Sequence, residues 1–210
     1  MNRGIRVSGR SSVSVERAAA VVRRLMLPKL PLVEPVNGIE LFETGLEKHA
    51  HRLTGGVELT TDVQELPSGV EGCTVFDAKS ELFCMTLSER TYRGLENGES
   101  RPRFTLSHEI GHLALHPRTL QRLGQLPHRE LMLERSRDKH KPFEDSEWQA
   151  NRFAAAFLMP APGLAQLQTR GHLDEDWVAH TYHTSYEAAQ YRINEFKAKE
   201  RSLMLAWQKD

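Results

Sequence analysis

Apolar positions recur at helical spacing near the start of the chain, gather into short runs between residues 57 and 87, and return to helical spacing from Pro102 onward. Ser14 opens a predicted helix over Val15 to about Leu25, with Glu16 in the first turn, where the macrodipole favours an acid. Pro28, Pro31 and Pro35 forbid its continuation and predict an extended linker. A second helix is expected over Ile39 to about Leu53, closed by Gly55 and Gly56. Three β-like runs follow, Val57–Val63, Gly72–Phe76 and Glu81–Leu87, separated by turn-rich Pro67–Gly69 and polar Asp77–Ser80. They predict a small antiparallel sheet.

Beyond them the helical period dominates. Phe104–His116 reads as one helix, stopped by Pro117, and Gln121–Ser136 is helix-compatible but broken around Gly124–Pro127. The next helix starts between Pro142 and Ser146 and runs to Leu158, where Met159 and Pro160 end it. Pro162–Thr169 is a short helix closed by Gly171, and Asp174 caps another to about His180. Thr184 and Glu187 form a T-x-x-E box before a last helix, Ser185–Arg201. Strands first and helices after make the expected class α+β.

Composition narrows the function classes. The 210 residues can bury a core without disulfide staples, and 28 basic side chains balance 28 acidic ones, which argues against a protein whose main partner is a nucleic acid. Cys73 and Cys84 lie in neighbouring β-like runs and are expected to be free, buried thiols, with a cross-strand bridge the alternative. The longest apolar stretches, Ala18–Val22 and Phe153–Met159, fall far short of the ~20 residues of a bilayer span, so no membrane partner is expected. Arg3, Arg6 and Arg10 give a basic start with no apolar region behind it. Residues 1–13 are therefore expected to be a flexible tail rather than a secretory or transit signal, and the expected address is the cytoplasm.

His108-Glu109-Ile110-Gly111-His112 carries the chemistry. Residues four apart share a helix face, so two imidazoles one turn apart can reach one zinc ion at about 2.0–2.1 Å. Glu109, about 100° further round, stands beside such a metal and suits a base that takes a proton from water. The pattern would arise by chance in about 1 in 20 chains of this composition, so its helical setting matters. Gly111 in mid-helix costs about 1 kcal/mol against Ala and implies a close neighbour. Glu147 near the first turn of the next clear helix could be the third ligand, with Glu144 and Asp145 as rivals. Asn151, one turn after Glu147, could hydrogen-bond a ligand histidine. His116 reads as a packing residue or a partner of a ligand, because three successive i+4 histidines drift about 40° each and cannot converge on one ion. Tyr182, His183, Tyr186 and Tyr191 are candidate donors to a tetrahedral oxyanion, although each taken singly reads first as core or surface, and Trp148 and Phe153 read as packing residues.

Arg103-Phe104-Thr105-Leu106-Ser107-His108-Glu109-Ile110-Gly111-His112 resembles the active-site helix of the ImmA/IrrE-type metallopeptidases. Glu147-x-x-Ala150-Asn151-x-Phe153-Ala154-Ala155-x-Phe157-Leu158-Met159-Pro160 resembles that family's second signature. The resemblance is specific over 101–160 and looser over the sheet and over Tyr182–Ile193, where the family has a helix–turn–helix-like element followed by a helix bearing an arginine like Arg192. It implies a gluzincin-like endopeptidase with His108, His112 and Glu147 as zinc ligands and Glu109 as general base. Manganese is the alternative metal. The implied organisation is a tail (1–13), a metallopeptidase domain (14–172) and a C-terminal helical element (173–210).

A basic connection sets this chain apart from the family pattern. Across Pro117–Lys141, Arg118, Arg122, Arg129, Arg135, Arg137, Lys139 and Lys141 stand against Glu130, Glu134 and Asp138, which reads first as a solvated surface helix pair, with a lid or partner-binding insertion the alternative. The resemblance implies a protein substrate, commonly a helix–turn–helix repressor whose cleavage releases stress-response or mobile-element genes. The alternative class is a binding module that controls a DNA-binding partner without proteolysis. A zinc hydrolase acting on a non-peptide bond is a third reading.

Overall fold

The computed structural model describes residues 4–126 and 141–208. Helix α1 (Ser12–Met26) begins two residues before Ser14, because the Ser11 hydroxyl accepts from Ser14 N and takes the cap. A short α2 (Gly38–Glu40) runs through a π-helical turn (Leu41–Gly45) into α3 (Leu46–Thr54), which Gly55 ends at φ 79°. Strands β1 (Leu59–Gln64), β2 (Gly72–Asp77) and β3 (Leu82–Ser88) follow.

The sheet is mixed, with spatial order β1-β3-β2, which corrects the expectation of an antiparallel one. β2 pairs antiparallel with β3, whereas β1 runs parallel to β3, with Leu59 opposite Phe83 and Val63 opposite Leu87. Burial explains the order. Phe83, Met85 and Leu87 of β3 are wholly buried, while β1 carries Thr60, Thr61, Asp62 and Gln64, so the apolar strand takes the centre and the polar one an edge. Local alternation reports which face is buried and is silent on which neighbour a strand chooses.

Helix α4 (Glu89–Glu96), capped by Ser88, was not expected from the pattern, since two turns interrupted by Gly94 give little period to read. α5 (Ser100–Leu115) carries the H-E-x-x-H segment and starts ahead of Pro102. A proline in the first turn removes an amide that has no helical partner anyway. α6 (Pro117–Gly124) has its proline at the first position. Most of the basic connection, including Arg129, Arg135, Arg137 and Lys139, lies outside the described residues. After a 3-10 turn (Pro142–Glu144) come α7 (Ser146–Leu158), α8 (Ala161–Thr169), α9 (Glu175–Tyr182) and α10 (Tyr186–Ala206). Ser185 rather than Thr184 caps α10, because the Thr184 hydroxyl is turned to the Met159 sulfur.

One core runs through all of this. Val178, Tyr182, Ile193 and Phe196 of the C-terminal helices belong to the same buried cluster as Phe83, Ile110 and Phe157. α5 and α7 cross closely: a methyl group at Gly111 would lie 3.1 Å from Phe153 Cδ1 and 3.2 Å from Ala150 Cα. The C-terminal end of α7 is held by two buried arginines. Arg23 donates to Phe157 O at 2.6 Å, and Arg192 Nε donates to Met159 O at 2.9 Å. Arg192 Nη2 also meets Glu16 Oε1 at 2.7 Å, and Trp207 Nε1 donates to the same oxygen at 2.6 Å. Cys73 and Cys84 are free, as expected, but half-buried rather than buried.

The expected tail is docked from Gly4 onward. Val7 N donates to Glu144 O at 2.8 Å, Arg10 N to Phe143 O at 3.0 Å, and Ser146 N to Ile5 O at 3.1 Å. This short antiparallel contact gives the segment backbone partners that composition could not announce. The Glu16–Arg192 pair yields a stability prediction. Glu16→Leu removes the shared acceptor of Arg192 Nη2 and the Trp207 indole, while Glu195, 3.5 Å from Nη1, still faces the guanidinium; urea unfolding should show a loss of about 1–3 kcal/mol, and adding Arg192→Met should recover part of it.

Candidate metal and catalytic centre

Helix periodicity sets the first half of the site. His108 and His112 stand one turn apart on α5, their Nε2 atoms 3.0 Å from each other. The second half comes from α7, whose first turn carries Glu147 behind the cap formed by Asp145. Glu147 Oε2 lies 3.2 Å from His108 Nε2, and Oε1 lies 3.3 Å from His112 Nε2. The donor set fits a metal. Tetrahedral ligands at about 2.0–2.1 Å from zinc lie about 3.3 Å from one another, which is close to these separations. Among the described residues, His108, His112 and Glu147 are the group of three that could hold an ion.

The rivals for the third position are engaged elsewhere. Glu144 lies 3.7 Å from Arg6 and accepts from Lys141 N, while Asp145 caps α7 and accepts from Gly4 N at 3.1 Å. Asn151 does what its spacing suggested: its Oδ1 lies 2.9 Å from His108 Nδ1. With the amide oxygen as acceptor, Nδ1 carries the proton and Nε2 keeps its lone pair for the cleft.

Glu109 is buried and its Oε2 accepts from Thr74 Oγ1 at 2.8 Å. The sequence reading missed Thr74. The hydroxyl comes from β2, and only the strand order tells which strand borders α5. Among the described residues β2 is an edge strand, and parity defines its outward side. Ser88 N donates to Glu71 O, so Glu71, Cys73 and Val75 address β3, whereas Gly72, Thr74 and Phe76 turn their backbone groups outward. The end of α6 sits against Phe76 O at Gly124. A cleft of about 580 Å³ lies between this edge and the first turn of α7, with His108, Glu109, His112 and Glu147 in its wall.

The oxyanion candidates are not brought there. Tyr182 is wholly buried and donates to Leu32 O at 3.0 Å, with its phenol pushed well up by burial. Tyr186 and Tyr191 are exposed on α10, and the His183 carbonyl accepts from Arg103. None of the four lines the cleft among the described residues. Phe153 packs in the core, and Trp148 lies under the Arg152 guanidinium at 4.6 Å, so both act as packing residues.

Electrostatics favour a cation at the convergence. Burial works against charge on Glu147, but the imidazoles of His108 and His112 facing it outweigh burial and hold the carboxyl well below the usual carboxylate range. Burial likewise opposes charge on His108, yet Glu147 and Glu109 lift its imidazole above the ordinary value. His116 goes the other way: burial, then the neighbouring His112, push it down to about 4.

Residues 95–194 match the family model described as Peptidase_M78: IrrE N-terminal-like domain. The match covers 100 of the 210 residues and falls on the family that the two signatures resemble. Members of that family are metal-dependent peptidases, and the matched stretch holds every residue of the convergence. Among solved structures, a Mycobacterium tuberculosis transcriptional regulator aligns with 14% identity and a TM-score of 0.47. The alignment covers 85% of this chain and 45% of that one, so this chain spans under half of that protein. No curated protein matches. Among the described residues no helix is long and apolar enough to cross a membrane.

His116 generates a prediction in pH. Unfolded, it takes a proton near 6.5; folded, it resists until about 4. The unfolded state therefore binds more protons across that window, and stability falls as pH drops from 6.5 to 4, then levels off for this group. Thermal melts of metal-free protein should show a slope worth up to one proton in that window, and His116→Gln should flatten it.

Proposed function

We propose that the chain is a zinc-dependent endopeptidase acting on a specific protein partner in the cytoplasm. The observation that carries the reading is the meeting of His108, His112 and Glu147 within ligand distance, beside a buried Glu109 and under a free strand edge. His108 Nε2, His112 Nε2 and a Glu147 oxygen would hold the ion. When bound there, zinc would supply Lewis acidity to a carbonyl and acidify a water at the open fourth position.

The chain's own residues do the rest. The outward amide and carbonyl groups of Gly72 and Thr74 bind an extended peptide by strand addition, which aligns its backbone over the convergence. Thr74 fixes one oxygen of Glu109, so the other takes the proton of the attacking water and passes it to the leaving amine. The resemblance to ImmA/IrrE-type enzymes supports a helix–turn–helix repressor as the partner, cut at one site.

The test uses zinc-loaded protein and a helix–turn–helix regulator encoded beside its gene, with cleavage followed by gel and mass spectrometry. Glu109→Gln should lower kcat by about 10²–10⁴ while zinc binding persists, as expected for loss of a general base. Thr74→Val should lower kcat roughly tenfold or more with little change in KM, the worth of one hydrogen bond to a charged group, and Thr74→Ser should restore it. Cleavage by Glu109→Gln at the wild-type rate would sink the assignment.

A further inference from the structure

Gln149 lies on α7 with no exposure to solvent, and its amide is fully committed. Nε2 donates to Ser8 O at 3.0 Å and to Phe143 O at 2.8 Å. Two carbonyl acceptors fix which way the amide faces, since the flipped group would set oxygen against oxygen twice. Oε1 therefore faces His116 Nε2 at 3.0 Å as an acceptor, and Nε2 of that ring carries its proton. The bare Nδ1 of His116 then lies 3.2 Å from His112 Nδ1, which must be the donor. In the neutral ring that ligates a metal, His112 is left with its lone pair on Nε2, the atom that faces Glu147 at 3.3 Å. The tautomer of a ligand imidazole is thus traceable, bond by bond, to two backbone carbonyls, that of Phe143 and that of Ser8 in the docked segment Gly4–Arg10.

We propose that Gly4–Arg10, Gln149 and His116 are positioning residues of the metal centre, so that docking of the N-terminal segment and binding of the metal strengthen each other. The inference rests on the reading of His108, His112 and Glu147 as the metal site and adds to it the control of that site's affinity. Coupling of this kind is reciprocal: whatever docking adds to metal affinity, the metal adds to docking. His108 takes its orientation from Asn151 instead.

The experiment measures zinc dissociation constants by chelator competition on the full chain. The variants are Gln149→Met, which keeps the volume and removes both ends of the relay, Gly4→Val, and the pair. A side chain at Gly4 would press within 2.7 Å of Glu147 N and within 2.5 Å of Ser146 Oγ, displacing the segment without touching a histidine. Each single change should weaken zinc binding about 10–100-fold, the usual range for losing a partner of a ligand. The double variant should be no weaker than the stronger single effect, because both cut one chain. Losses that add would mean that Gly4 acts on Glu147 alone, and would overturn the coupling, as would wild-type affinity in either single variant.

Two measurements on the wild-type protein decide the matter even where a variant does not fold. Adding zinc should slow hydrogen exchange at the Val7 and Arg10 amides, and unchanged exchange overturns the proposal. Nitrogen NMR of the zinc-loaded protein should find His116 neutral and protonated on Nε2, whereas a proton on Nδ1 overturns it. A wild-type chain that takes up no zinc would instead remove the metal centre, and this inference with it.

Discussion

The absence of a side chain at Gly111 governs how near α5 and α7 can come, and almost everything in the site hangs on that distance. A methyl group there would press on Phe153 and on the backbone of Ala150, forcing the helices apart by a few tenths of an ångström. His108 and His112 would then recede from Glu147, whose oxygens now lie 3.2–3.3 Å from them. The residue that costs helix stability is thus the one that lets two helices share three donor atoms.

Close approach alone would not orient those donors. α7 is restrained at both ends: Arg23 and Arg192 take carbonyls at its C-terminal end, and the docked N-terminal segment meets its first turn. Along the helix, Glu147, Gln149 and Asn151 each engage α5 directly or through His116, while Ala150 supplies the smooth surface under Gly111. Burying the amides and imidazoles between the two helices is tolerable because Gln149, Asn151 and His116 each find hydrogen-bond partners there. The same satisfaction removes rotameric freedom from the imidazoles before any ligand arrives, which is the physical content of preorganisation.

The sheet contributes position rather than bulk. With β3 in the centre, β2 becomes an edge strand beside α5, and it presents the Thr74 hydroxyl to Glu109 and free backbone groups to the cleft. Had the three strands formed the antiparallel meander that their short turns suggested, β3 would have taken the edge and its apolar face the exposure. The cost of exposing Phe83, Met85 and Leu87 explains why it did not.

The sequence by itself determined whatever depends on residues a few positions apart. Four-residue spacing put His108 and His112 on one face, the Asp145–Trp148 spacing capped α7, and Glu147 with Asn151 shared a face of it. Alternation found the strands, and proline and glycine found most of the ends. Tertiary structure decided the partners that are remote along the chain. Thr74 reaches Glu109 across 35 positions and Gln149 reaches Ser8 across 141, and no local pattern encodes either contact. Parallel pairing of β1 with β3 and the docking of a segment composed like a loose tail belong to the same class. Helix geometry is a property of neighbours, and so it is written in spacing. The pairing of buried hydrogen-bonding groups is a property of the closed chain, because only burial makes an unmatched donor costly enough to choose its partner.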